Sequence, residues 1–211
     1  MFTDIHSRIS GLTAFGASWI LWLLVALSIL ALAIIFERAY ALALSRRDAA
    51  ACRTDLMVLL RGGDLAAARA RAARSPSIEG RVVSAGLADP DAGAAAAEQR
   101  MTGALGLAKL DLERRLAFLG TLGNNAPFVG LLGTVIGIIR AFRTLDGAAG
   151  KVTAGLMTDV GEALVATAVG ILVALPAIAA YNVFQRLIKA RLGAVDALGR
   201  ELVAALATER S

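Results

Sequence analysis

The sequence predicts an all-α membrane protein: three transmembrane helices, a cytoplasmic helical insertion, and long helices extending into the cytoplasm. Two observations carry the prediction. The 57% of residues that are hydrophobic, at a mean hydropathy of +0.67, are gathered into three blocks, each long enough for the ~20 residues a helix needs to cross a bilayer. The basic residues near the ends of these blocks are also strongly one-sided, with twelve on one side and four on the other.

Residues 1–14 form an external N-terminal segment, and the first span covers 15–36. That block lacks the short apolar core and the Ala-x-Ala exit of a cleaved signal peptide, so a retained helix is expected. Trp19 and Trp22 near its outer end and Tyr40 past its inner end suit the aromatic belts of membrane interfaces. Residues 37–115 form a cytoplasmic helical region whose Ala, Arg and Leu content favours helix. Breaks are expected at Gly62-Gly63, Ser75-Pro76 and Asp89-Pro90. Three or four short helices fit between them, with the ends of the first and second spans continuing inward as helices. A region of this size makes only a small core, which points to packing against further copies.

The second span covers 116–142, a short periplasmic loop 143–158, and the third span 159–184. Residues 185–211 form a cytoplasmic C-terminal helix with apolar residues at Leu187, Ile188, Leu192, Val195, Leu198, Leu202 and Leu206, a one-faced helical spacing. It is either a satellite helix on its own subunit or the continuation of the third span along an oligomer. The Lys and Arg imbalance puts 37–115 and the tail in the cytoplasm and the N-terminus and the 143–158 loop outside.

The net charge of +5 therefore reflects topology. No nucleic-acid partner is expected, because the 13 basic and 10 acidic residues of 37–115 have no aromatic residue among them between Tyr40 and Phe118. A single histidine, His6, and a single cysteine, Cys52, lie far apart in the chain, which leaves no basis for a metal site, a disulfide or Cys-His catalysis. With no phosphate-cradling Gly-Lys-Ser/Thr loop either, neither a cofactor nor enzymatic activity is expected.

The feature that demands a function is Glu162, a lone carboxylate in an apolar run that meets no second charge until Arg186. A charge at the bilayer centre costs roughly 2.5 to 3.5 kcal/mol on insertion scales, so such residues face a protein interior or a wet cavity and mark ion pathways. The competing account is a helix cap: Asp159 and Glu162 have the spacing of a variant capping box, which would make Glu162 a first-turn residue. On spacing alone the two stand level. Thr134 and Thr167 fall roughly 8 to 11 Å inside the outer boundary on antiparallel spans, with Glu162 about 7 to 8 Å above Thr167. They can form a short proton or cation path, or each hydroxyl can bond the carbonyl one turn back. Ala126, Gly130, Thr134, Gly137 and Ala141, with Gly133 beside them, form a small-residue stripe for close helix approach. Ala163, Ala166, Gly170, Ala174 and Ala177 form another. Pro127 and Pro176 each remove a backbone donor, and Pro176 is expected to kink its helix.

The run Asn125-Ala126-Pro127-Phe128-Val129-Gly130-Leu131-Leu132-Gly133-Thr134-Val135-Ile136-Gly137-Ile138 resembles the second helix of the MotA/TolQ/ExbB proton-channel family. Gly161-Glu162-Ala163-Leu164-Val165-Ala166-Thr167-Ala168-Val169-Gly170, with Ala174-Leu175-Pro176-Ala177 and Tyr181-Asn182 following, resembles the third. The likeness is closest to the ExbB and TolQ branch, since MotA-type stators have four spans, and it is specific over 116–190. It implies a homopentamer whose second and third helices line a pore around two copies of an ExbD- or TolR-like single-span subunit. That partner's aspartate is the main proton carrier, and a TonB- or TolA-like protein transmits the energy. On the family pattern Thr134, Glu162 and Thr167 match the polar pore positions. Asn124-Asn125 before Pro127 is more polar than the small residues of better-known members. The implied function is a pore-forming stator subunit of a proton-driven motor. The alternative from another class is a structural membrane scaffold whose cytoplasmic helices organise partners and whose Glu162 only caps a helix.

Overall fold

The computed structural model describes residues 18–147 and 152–209, except the side chains of 46, 47 and 209. The predicted external segment 1–14, the start of the first span and part of the outer loop, with His6, Arg8 and Lys151, lie outside the described residues. Among the described residues there is no strand. The order is α1 (Ser18–Arg61), α2 (Leu65–Ala73), α3 (Ile78–Gly86), a 3-10 turn (Pro90–Ala92), α4 (Ala94–Glu113), α5 (Leu116–Gly147) and α6 (Ala154–Glu209).

The helices stop where the sequence carries its breakers. Gly63, at φ 75°, takes the left-handed conformation that ends α1. Asp64 then caps α2 by accepting from the Ala67 amide at 2.8 Å. Past Ser75-Pro76, Ser77 caps α3 by accepting from the Gly80 amide at 3.2 Å. One expectation is corrected: the second span does not continue inward as a helix. Arg114 turns extended at ψ 132° and Arg115 adopts φ 68°, so α4 and α5 are separate elements. Neither proline interrupts its helix, for α5 runs through Pro127 and α6 through Pro176.

The chain divides into two compact units. In the first, made of 18–36, 115–147 and 152–182 among the described residues, α5 and α6 pack through the two small stripes. Ala126, Gly130, Gly133, Gly137 and Ala141 are buried, as are Ala163, Ala166, Gly170, Ala174 and Ala177. A Cβ on Gly130 would stand 2.7 Å from the Ala166 carbonyl oxygen, and one on Gly170 2.7 Å from the Ala126 carbonyl oxygen. By this backbone-on-backbone approach each stripe is covered by the other within one chain. From α1, Ile20, Leu24 and Ala31 are buried, while Trp22, Ile29, Leu30 and Phe36 are exposed. An apolar helix exposed on one side suits a lipid surround, and α1, α5 and α6 are each long and apolar enough to cross a membrane.

The second unit takes 37–114 and 183–209 among the described residues. Its core joins Cys52, Leu56 and Leu60 of α1, Ala68 and Ala72 of α2, Val82 and Val83 of α3, Met101 and Ala108 of α4, and Val195, Leu198, Leu202 and Leu206 of α6. The tail therefore reconciles two readings held apart by sequence. It is continuous with the third span in one 56-residue helix, and it also packs on its own subunit. Without it, residues 37–115 would lack one wall of their core. Inside this unit the buried Glu79 carboxylate meets Arg191 Nη2 at 3.2 Å, and Arg191 Nη1 donates to Ser45 Oγ at 2.7 Å.

Candidate functional site near the start of the last helix

The start of α6 decides how Glu162 is read. The helix begins at Ala154, and the Thr153 hydroxyl accepts from the Leu156 amide at 3.3 Å, as an N-cap does. Asp159 is thus in the second turn and Glu162 in the third. The capping-box account of Glu162 is overturned, because the orphan amides of the helix start lie more than a turn away from it.

Asp159 does something else. Its carboxylate, 8% exposed, holds Arg140 Nε of α5 at 3.1 Å through Oδ1 and takes the Thr144 hydroxyl at 3.0 Å through Oδ2. A carboxylate this buried needs a compensating cation, and Arg140 supplies it. The ion pair and hydroxyl pin α5 to α6 about one turn before Glu162 along α6.

Glu162 is half-buried and its Oε2 accepts from the Ser18 hydroxyl of α1 at 3.2 Å. Thr167 donates to the Gly130 carbonyl of α5 at 3.1 Å. That contact exists because Gly130 has no side chain: a Cβ there would lie 3.0 Å from the Thr167 Cα. Thr134 donates to the carbonyl of Leu131 in its own helix at 2.7 Å, the local alternative that hydroxyls in helices often take.

The three predicted path residues are therefore not brought together in one chain. Thr167 is level with Gly130, which places Thr134 one helical turn, roughly 6 Å, away along the bundle. Five residues at ~100° each also set Glu162 and Thr167 about 140° apart around α6. Glu162 turns to α1 and Thr167 to α5. Gly133 meets Ala166, where a Cβ would approach to 2.5 Å, and Gly137 meets Ala163 at the same separation.

Sequence reasoning missed Ser18 and the Asp159, Arg140, Thr144 group. A buried acid facing a basic residue across two antiparallel spans was readable in principle, since Arg140 and Asp159 both lie near the outer ends of their helices. Ser18 carried no local signal. No metal-holding group of His, Cys, Asp or Glu occurs among the described residues.

Residues 74–197 match the model of the MotA/TolQ/ExbB proton channel family. The chain is 49% identical over 78 residues to the biopolymer transport protein ExbB-like 2 of Helicobacter pylori, covering 37% of this chain and 52% of that one. It is 41% identical over 97 residues to the Tol-Pal system protein TolQ of Pseudomonas aeruginosa, covering 46% and 42%. Against the biopolymer transport protein ExbB of Neisseria gonorrhoeae it is 42% identical over 84 residues, covering 40% and 38%. The chain thus spans about half the length, or less, of these relatives.

Proposed function

Because the chain belongs to the MotA/TolQ/ExbB proton channel family, we propose that it is the pore-forming stator subunit of an ExbB/TolQ-like proton-driven motor in a bacterial inner membrane. Five copies would surround two copies of an ExbD- or TolR-like single-span subunit. Proton flow between them would do mechanical work on the cell envelope, passed on by a TonB- or TolA-like protein. The N-terminus is periplasmic and the C-terminus cytoplasmic in this reading, which rests on the one-sided Lys and Arg.

The observation that carries the proposal is Glu162: a lone carboxylate in the apolar run of α6, more than two turns from the helix start, bonded to a hydroxyl of another helix. A titratable group so placed is expensive in a membrane and fits a site where a proton pauses. The chain's own residues divide the work. Glu162 holds the charge, the Thr167 and Gly130 contact sets the spacing of α5 and α6, and Asp159 with Arg140 locks their outer ends. The carrier aspartate belongs to the partner, so the chain alone is expected to be inactive. The scaffold alternative loses its main support, because it needed Glu162 to be a cap.

The test is proton uptake by vesicles holding the chain and its single-span partner under an imposed membrane potential. Uptake that needs both proteins and vanishes in Glu162→Gln, while the complex still forms, is the expected result. Uptake unchanged by that substitution would overturn the pore role of Glu162.

A further inference from the structure

The family reading places the ion path on the second and third helices and leaves the first outside it. The geometry points to a different arrangement at the outer end: α1 supplies Ser18 as the residue that positions the Glu162 carboxylate, so the first helix is part of the proton site. This inference rests on the pore reading of Glu162 and deepens it.

Three observations converge. Ser18 Oγ donates to Glu162 Oε2 at 3.2 Å across 144 positions of sequence. α1 brings no charge to compete, since its first charged residue beyond Ser18 is Glu37. The hydroxyls predicted to serve Glu162 are otherwise engaged: Thr134 bonds the Leu131 carbonyl and Thr167 the Gly130 carbonyl.

Among the described residues, the charged groups about one turn from Glu162 form a pair of their own. On α6 the nearest is Asp159, one turn outward, and on α5 it is Arg140, whose guanidinium Nε is 3.1 Å from Asp159. Those two charges offset each other. Ser18 is thus the side chain that fixes the carboxylate's direction. A donor held on a neighbouring helix restricts a carboxylate to one rotamer, and it must be released for the carboxylate to swing toward a different partner. Next to Ser18, Ile20 is fully buried and lies near Gly133, where a Cβ would come within 3.5 Å of its Cγ2. The start of α1 is thereby seated by packing on α5.

Proton uptake with the partner present and the infrared carboxylate band of the purified chain test this together. The Glu162 band is identified as the one missing in Glu162→Gln. Ser18→Ala is expected to shift that band and to lower uptake roughly tenfold, the scale of one hydrogen bond to a charged group. Ser18→Thr, which restores the hydroxyl, should return both. An unmoved band, or uptake unchanged in Ser18→Ala, would overturn the inference. If Glu162→Gln keeps full uptake, the pore reading fails, yet a shifted band in Ser18→Ala would still establish Ser18 as the group that holds the carboxylate. Should Ser18→Ala fail to assemble, Ser18→Cys, close in size but a weak donor, is read by the same band and uptake.

Discussion

Arg140 and Asp159 join the C-terminal part of α5 to the start of α6 through a 3.1 Å ion pair in which the carboxylate is buried and the guanidinium is 43% exposed. The asymmetry determines which substitution hurts more. Arg140→Ala leaves a buried carboxylate without its cation, whereas Asp159→Asn leaves a guanidinium that water can still reach. Arg140→Ala is therefore expected to cost about 2 kcal/mol, less than the 3 to 5 of a fully buried pair because solvent screens it. Asp159→Asn should cost about 1 kcal/mol, since the amide still accepts from Thr144. Thermal unfolding of the detergent-solubilised chain measures both, and the reverse order would contradict the assigned burial.

The glycine contacts predict a graded series. Gly130→Ala puts a methyl 2.7 Å from the Ala166 carbonyl oxygen, which backbone cannot yield cheaply, so a loss of about 1 to 3 kcal/mol is expected. A Cβ at Gly103 or Gly106 in α4 meets nothing within 4 Å, and alanine there should stabilise by about 0.5 to 1 kcal/mol through helix propensity. Because the Gly130 contact lies within one chain, its effect should appear as lowered subunit stability whether or not oligomers form. An effect on assembly alone would show that the face meets a neighbouring copy instead.

Thr167 separates a relay from a clamp. Its hydroxyl bonds the Gly130 carbonyl across the helix pair, so Thr167→Ala should cost about 1 kcal/mol of stability. Thr167→Ser should retain it. If proton uptake with the partner falls in Thr167→Ala but survives in Thr167→Ser at equal stability, the hydroxyl serves the path as well.

In the second unit, Glu79 is 1% exposed and depends on Arg191, itself 12% exposed. Arg191→Leu should destabilise by about 3 to 5 kcal/mol by stranding the carboxylate. The double change Glu79→Leu with Arg191→Leu should recover much of that loss, because a buried pair replaced on both sides is often near neutral. Unfolding followed by circular dichroism distinguishes these cases.

The sequence by itself determined the class of fold, the three apolar helices, the family, and the small stripes, because these depend on local composition and on periods of three to four residues. The breaks at Gly62-Gly63, Ser75-Pro76 and Asp89-Pro90 were legible for the same reason: turn chemistry acts on neighbours. Only the tertiary structure decided that the two stripes cover one another, that the tail walls its own unit's core, and that α6 starts a turn and a half before Asp159. It also decided which hydroxyl meets Glu162. Ser18 and Glu162 are 144 positions apart, and Thr134 bonds a carbonyl of its own helix while Thr167 bonds the Gly130 carbonyl across the pair. Depth follows from counting residues along a helix, but the direction a side chain faces is set by how α1, α5 and α6 rotate as the glycines of α5 and α6 are buried, and that rotation is a property of the packed bundle.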